Sequence, residues 1–397
     1  MKTPFITALV ATAMFVGSTT FAQTSTIHQV LQQVGTNNKR LAAEASTLEA
    51  LKLRERTGLS LPDPTVDFDY MNGTPAATAG TQQDLTVAQA FDFPTAYGAR
   101  RQVAQLRTSQ HEQAAIATRR EVLLDAQRTC IALVYANQRT TLLADRHAAA
   151  VRFLSGVRQL FEREAATILD LHKAELLEAG IAADVSTLAM DRQALLQHLA
   201  ELNGGNEVVF SDTVYPAMPA PPPFAEYEQA MEAADPTLRT LEIETAISEQ
   251  QTREFKATGL PAFEVGYRYQ GILGANYNGF HTGITVPLWS NRNKVKQQKA
   301  FTEASQLMTE EHRTEHFYEA RHLYDRALEL RRTADDYAAR MMATNSIPLL
   351  EKAYEAGQLT TLAYKMELML RQESEDRLLQ LQWQSMDAMA ELFKYQL

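Results

Sequence analysis

The stretch Phe91-Asp92-Phe93-Pro94, continuing through Gly98 to Arg100 and Arg101, has an echo at Thr285-Val286-Pro287-Leu288-Trp289-Ser290-Asn291-Arg292. In each copy a run of alternating apolar and polar residues ends at a proline. It then gives way within a few residues to a very long proline-free sequence. Period-two alternation reads as a strand and the proline-free run as a helix. A strand therefore feeds a long helix twice, and the chain reads as two similar halves.

Working outward, no proline follows Pro94 until Pro216, and no glycine follows Gly98 until Gly156. From Tyr97 the chain can form one helix of about 60 residues, roughly 90 Å long at 1.5 Å per residue. The pattern hesitates at residues 161–169, and a shorter helix then runs to the cap Asn203-Gly204-Gly205, closing a long helical hairpin.

Ahead of the strands, residues 27–56 have helical spacing, with Ile27, Val30, Leu31 and Val34 on one face and a break at Asn37-Asn38. Residues 65–70 read as a strand with Val66, Phe68 and Tyr70 on an apolar face and Asp67 and Asp69 opposite. Residues 71–83 read as a loop, and 85–93 as a second strand with Leu85, Val87, Phe91 and Phe93 on one face.

The second half repeats this order. A helix at 224–257 breaks at Asp235-Pro236, and a strand at 263–269 sets Val265, Tyr267 and Tyr269 against Glu264 and Arg268. A loop at 271–279 precedes a strand at 280–288 carrying Ile284 and Val286. A long helix follows at 291–346, and Pro348 opens the returning arm. The expected organisation is a signal peptide (1–22), a first repeat (23–206), a Pro-rich extended linker (207–223) and a second repeat (224–397). In each half the two shorter helical arms sum to about the length of the long helix, so stacked end to end they match it as a wall of even thickness.

Lys2, the apolar run 5–16 and Thr20-Phe21-Ala22 read as a secretory signal cleaved near Ala22. No cysteine follows that site to carry a lipid anchor, and the single Cys130 reads as a packed helix thiol. The net charge of −10 offers no footprint for nucleic acid. Beyond the signal no stretch is apolar for the ~20 residues a membrane helix needs, so any span must be made of strands. Four two-faced strands cannot close a barrel alone, and lipid does not tolerate open edges. Several copies must then contribute, and three would give twelve strands. The other arrangement, a soluble four-stranded sheet on a periplasmic helical protein, leaves the long helices unexplained.

The order of Leu61-Pro62-Asp63-Pro64, the Phe91–Pro94 stretch with Arg100, Ala200-Glu201-Leu202-Asn203-Gly204, Gly283–Leu288 with Arg292, and Tyr354-Glu355-Ala356-Gly357 resembles the TolC family of outer-membrane efflux proteins. It is most similar to the branch that serves heavy-metal and other cation pumps. The resemblance spans nearly all of the chain after the signal. It implies a mainly α fold with a small β part, in which long antiparallel hairpins form an α-barrel and four strands join a trimeric, twelve-stranded transmembrane β-barrel. It further implies a homotrimer in the outer membrane with a periplasmic extension. The hairpin tips would meet a periplasmic adaptor joined to an inner-membrane pump of the RND type, and the exit duct would pass metal cations or small toxic molecules. A type I protein secretion duct uses the same fold, and a soluble coiled-coil scaffold or adaptor is the alternative from another class.

Family tips carry a small residue at the turn. Gly357 keeps it between Tyr354 and Thr360, whereas the first tip, with Phe161 and Thr167, has Glu164 there. Asp170 is the acidic residue just past a tip and the candidate for a narrowing gate, set against a plain solvated helix position. Arg100, Arg101, Arg292, Lys294 and Lys296 crowd the starts of the long helices, where the helix dipole disfavours cations. Lipid phosphates at the membrane interface would favour them, with Trp289 and Tyr97 in an aromatic belt. His312 and His316, spaced i, i+4, are either a metal pair or an ordinary helix surface. No phosphate loop, catalytic triad or Cys-x-x-Cys is present, so neither enzymatic activity nor a cofactor is expected.

Overall fold

The computed structural model describes residues 26–73, 80–344, 347–359 and 361–397. The signal-peptide expectation, part of the first strand-to-strand loop and Thr360 lie outside these residues. Two short helices open the described chain, α1 (Ile27–Asn37) and α2 (Lys39–Arg56). Strands β1 (Thr65–Asn72) and β2 (Thr81–Phe91) follow, then the 69-residue α3 (Pro94–Glu162) and α4 (Ile168–Leu202). The second half comprises α5 (Phe224–Ala234), α6 (Pro236–Ala257), β3 (Ala262–Ile272) and β4 (Ala275–Thr285). It closes with α7 (Lys294–Ala343), α8 (Ile347–Glu355) and α9 (Thr361–Leu392).

The break between α1 and α2 is chemical. Asn38 caps α2 by accepting from the Leu41 N–H, and its amide donates to the Leu202 carbonyl, 2.8 Å away. Asn37 bonds Asn203 at 3.0 Å, so the end of α4 docks on the α1/α2 junction. Asp235 caps α6 in the same way, accepting from the Thr237 N–H at 2.8 Å.

Along α3 the partners change from α2 to α4 without a gap. Glu112 and Glu121 meet Lys52 and Arg40 of α2, while Asp125, His147 and Arg158 meet His198, Glu178 and Glu175 of α4. The expected end-to-end stacking is thus the observed one. α3 also carries the contacts between halves, through Arg100–Glu254 and Gln110–Glu244 to α6 and Arg128–Asp387 to α9.

The core lies at the waist of this assembly. Val30, Val34, Val122, Ile131, Leu133, Val134 and Leu199 bury together with Val208 and Phe210. A second cluster gathers Tyr227, Met231, Leu323, Met389 and Leu392. Residues 207–223 are irregular as expected but not free: Val208 and Phe210 enter the core, and Asn137 and Gln138 donate to the carbonyls of Asp212 and Thr213. Backbone that must pair with something, beside side chains that gain by leaving water, makes the linker a strap.

The strands form one antiparallel sheet in the order β1-β2-β3-β4. All four run further at their outer ends than alternation indicated; at the inner ends β2 and β4 stop short, while β1 begins at Thr65 as expected and β3 one residue earlier, at Ala262. Residues 271–279 are not a loop. β3 and β4 are joined by the two residues Leu273 and Gly274, both at positive φ (53° and 86°), as a primed hairpin turn requires. Phe93 and Val286, assigned to strands from the alternation, lie outside them: β2 stops at Phe91 and β4 at Thr285. Pro94 and Pro287, which lack the ladder N–H, end the pairing just before these positions. Phe93 instead becomes the cap residue of α3, its ring 6.5 Å from that of Phe263. Likewise α7 begins at Lys294, so Arg292 sits in the preceding turn and not in the first helical turn.

Candidate functional site

Residues paired directly across an antiparallel ladder share a face of the sheet. Val66, Val87, Tyr267 and Phe280 form one cross-strand row, and Phe68, Leu85 and Tyr269 continue the same face. Most of this face is solvent-exposed in the isolated chain, Val66 by 65%, Phe68 by 63%, Ile284 by 67% and Phe280 by 93%, while Leu85 and Tyr269 are half-buried. Tyr70 and Val265 are exposed on this face as well. Phe280 was not singled out by alternation, because its neighbours Gly279 and His281 hide the pattern; its pairing to Tyr267 reveals it.

The opposite face is polar. One row reads Asp69, Asp84, Gln270, Tyr277 and the next Asp67, Thr86, Arg268, Gly279. Deeper along it, His281 lies 3.0 Å from Glu264. Among the described residues β1 and β4 each pair with one strand, leaving two open edges. A sheet apolar on one face, polar on the other and open at both ends fits a segment of a larger lipid-facing barrel. No helix among the described residues is long and apolar enough to cross a membrane.

Below the sheet, the candidate interface cations separate into two kinds. Arg100 is held internally, 2.7 Å from Asp92 and 3.3 Å from Glu254, and these carboxylates offset the unfavourable dipole end. Tyr97 accepts from the Asp92 N–H at 3.0 Å and lies beneath the Arg100 guanidinium. Arg101, Arg292 and Lys294 are exposed, as is Trp289 at 78%, while the Lys294 ammonium approaches the Phe255 ring at 5.9 Å.

At the far end, the two hairpin turns share one hydrogen-bond pattern. The Glu164 N–H donates to Phe161 and the Ala165 N–H to Leu160; the Gly357 N–H donates to Tyr354 and the Gln358 N–H to Ala353. Both are Schellman closures with a left-handed residue, φ 57° at Glu164 and 71° at Gly357. The small-residue rule of the tips is met in backbone conformation, though not in side chain. Thr167 and Asp170 form a reciprocal capping box at the start of α4. The Thr167 hydroxyl and N–H hold the Asp170 carboxyl below the usual carboxylate range, so it is ionised and tied to the turn. Leu160, Ile168, Leu169 and Tyr354 are exposed around the turns. The Lys365 ammonium of α9 lies 4.4 Å over the Phe153 ring of α3, joining the two hairpins near the tips.

His312 and His316 face a third group that sequence spacing did not reveal. Asp235 places Oδ2 2.7 Å from His312 Nε2 and 3.8 Å from His316 Nε2. Its other oxygen, Oδ1, caps α6. Among the described residues no group of three or more His, Cys, Asp or Glu is arranged to hold a metal ion. The pair joins α7 to the α5/α6 break.

Compared with known proteins, the chain matches no family model and no curated sequence. Solved structures do match it. The CmeC outer membrane channel of Campylobacter jejuni is similar at 12% identity and a TM-score of 0.76, covering 99% of this chain and 93% of that one. The outer membrane protein VceC of Vibrio cholerae is similar at 12% identity and a TM-score of 0.72, covering 93% and 95%. CusC, whose structures concern transmembrane channel formation, is similar at 12% identity and a TM-score of 0.78, covering 93% and 91%. The chain has the fold of the TolC-type outer-membrane channels, duplicated hairpins carrying a four-stranded sheet.

Proposed function

We propose that this protein is the exit duct of a tripartite efflux system. Three copies close a twelve-stranded barrel in the outer membrane, and their helical hairpins continue it as a periplasmic tunnel. The observation that carries this reading is the sheet: a largely exposed apolar face together with two edges unpaired among the described residues is unstable in water and forbidden in lipid unless further strands complete it. The channels of like fold support the outer-membrane setting. Exposed Arg101, Arg292, Lys294 and Trp289 lie where the sheet gives way to helices, at the level of lipid headgroups on the periplasmic side.

The hairpin turns around Phe161, Glu164, Thr167, Tyr354, Gly357 and Thr360 are the docking points for a periplasmic adaptor, which links the duct to an inner-membrane pump of the RND type. The duct performs no chemistry, and the pump supplies the energy. Asp170 narrows the periplasmic entrance through its charge. The cargo is metal cations or small toxic molecules.

Fractionation of native membranes on a sucrose gradient, followed by detergent extraction and light scattering, tests the reading. A trimer mass in the outer-membrane fraction is expected, and deletion of the protein should sensitise cells to toxic cations or small molecules. A monomer in the soluble periplasm would overturn it.

A further inference from the structure

A cavity of about 320 Å³ opens at the waist, where α3, the α5/α6 break, α7 and the last turn of the chain meet. Leu124, Met231 and Pro236 give it an apolar wall. Its carboxylates are already engaged. Asp235 accepts from the Thr237 N–H through Oδ1 and faces His312 through Oδ2. Glu121 is paired with Arg40 at 2.8 Å, and Glu319 with Lys394 at 3.7 Å.

Its donors are not all engaged. His316 is only 7% exposed, yet it makes no hydrogen bond to a described residue; its Nε2 stands 3.8 Å from Asp235, beyond bonding distance. Arg120 donates through NH1 to the Ala234 carbonyl, while its Nε is buried with no partner among the described residues. The Tyr395 hydroxyl accepts from Gln396 at 3.1 Å and donates to no described residue. A buried donor without an acceptor is costly, and an apolar side chain at position 316 would pack without that cost. Three unpaired donors thus line one cavity whose own carboxylates are taken. The group that completes it is an acceptor.

We infer that this cavity binds a small organic anion, a carboxylate held by Arg120 and His316 with its apolar body against Leu124, Met231 and Pro236. A guanidinium and an imidazole supply charge-assisted hydrogen bonds to such a group, and the apolar wall with few polar anchors is the usual make-up of a small-molecule site. Lys394 adds positive charge at the edge. Asp235 is the nearest like charge, and His312 and the α6 cap offset it. The occupant ties α3 of the first half to α7 of the second, so binding should stabilise the waist. None of this rests on the exit-duct reading.

The test is titration calorimetry on the purified full-length protein in a non-ionic detergent, with benzoate as the probe. Benzoate should saturate one site per chain and raise the unfolding temperature. Benzamide, of like shape but without charge, should bind at least tenfold more weakly. Arg120→Gln and His316→Gln should each weaken benzoate at least fivefold. Since either change could loosen the waist itself, Ala117→Phe, which fills the cavity from a partly exposed position of α3, must abolish binding while circular dichroism shows the helices intact. Arg152→Gln, at an exposed arginine of α3 outside the cavity, should change nothing. No saturable binding at millimolar benzoate, equal binding of benzamide, or full binding in Ala117→Phe would each overturn the site and leave the duct reading untouched.

Discussion

Glu164 and Gly357 hold the same place in the two halves: each is the left-handed residue of a Schellman turn, at φ 57° and 71°, with matching hydrogen bonds to the third and, from the next residue, the fifth preceding positions. Only Gly357 is suited to it. A side chain in this conformation costs about 1 kcal/mol or more, because its Cβ crowds the following carbonyl. Glu164→Gly should therefore stabilise the first turn by about 1 kcal/mol, and Gly357→Ala should loosen the second by a similar amount. Hydrogen exchange at the turn amides reads both changes locally. Slower exchange in Gly357→Ala would contradict this account.

This pair also marks the limit of what was legible beforehand. The sequence at Glu164 departs from a small-residue pattern, and reading by residue type makes the first turn look different from the second. Backbone conformation restores the equivalence, because strain at one residue is small against the packing of a 69-residue helix. The helices, their breaks and the two-faced strands were readable, since each follows from periodicity or a cap in adjacent residues. The tight turn at Leu273 and Gly274, the third group beside the histidines and the unpartnered Arg120 Nε were not, because each depends on which distant residues the ladder or bundle brings together.

Arg146 of α3 is only 9% exposed and joins the two hairpins. Its NH1 lies 2.8 Å from Asp376, and its NH2 donates to the Gln372 carbonyl at 2.9 Å and to Glu375 at 3.3 Å. Removing the guanidinium takes this partner from Asp376, while Glu375 keeps Arg371 at 3.3 Å. Loss of one partner from a fully buried pair costs about 3–5 kcal/mol; here solvent reaches Asp376, so about 2 kcal/mol is expected for Arg146→Met. Thermal unfolding of the detergent-solubilised protein measures it. The double variant Arg146→Met with Asp376→Leu should recover part of the loss, and failure to recover any would place the cost elsewhere.

His198 on α4 sits 3.1 Å from Asp125 and 3.5 Å from Glu201. Burial works against its charge, but the two carboxylates outweigh burial and raise its pKa above the ordinary histidine value. A raised folded-state pKa contributes stability that is complete below the unfolded value, about 6.5, and is lost as pH climbs through the folded value. The stability advantage of the wild type over His198→Gln should thus shrink between mildly acidic and mildly alkaline pH. It should stay under about 1 kcal/mol, because solvent screens a half-exposed pair. Denaturant midpoints at a series of pH values decide the sign, and a widening difference at high pH would refute the assignment.

Cys130 lies in the middle of α3, fully buried in the waist cluster with Val30, Val34 and Leu199. Burial is the main cause that pushes its thiol up to about 12, with Asp212 adding a smaller push in the same direction. The thiolate is the reactive form, so at neutral pH this thiol is inert on two counts, absence of charge and absence of access. A maleimide added to the folded protein should leave it unmodified for hours, whereas one added in denaturant should label it within minutes. Its labelling rate across a denaturant series therefore follows opening of the waist, not fraying of the tips or of the sheet. Cys130→Ser should lower stability by about 1–3 kcal/mol, since the hydroxyl demands a hydrogen bond in an apolar setting. Cys130→Ala opens only a small cavity and should cost less. Rapid labelling under native conditions would mean that the two halves do not pack around α3 as a single core.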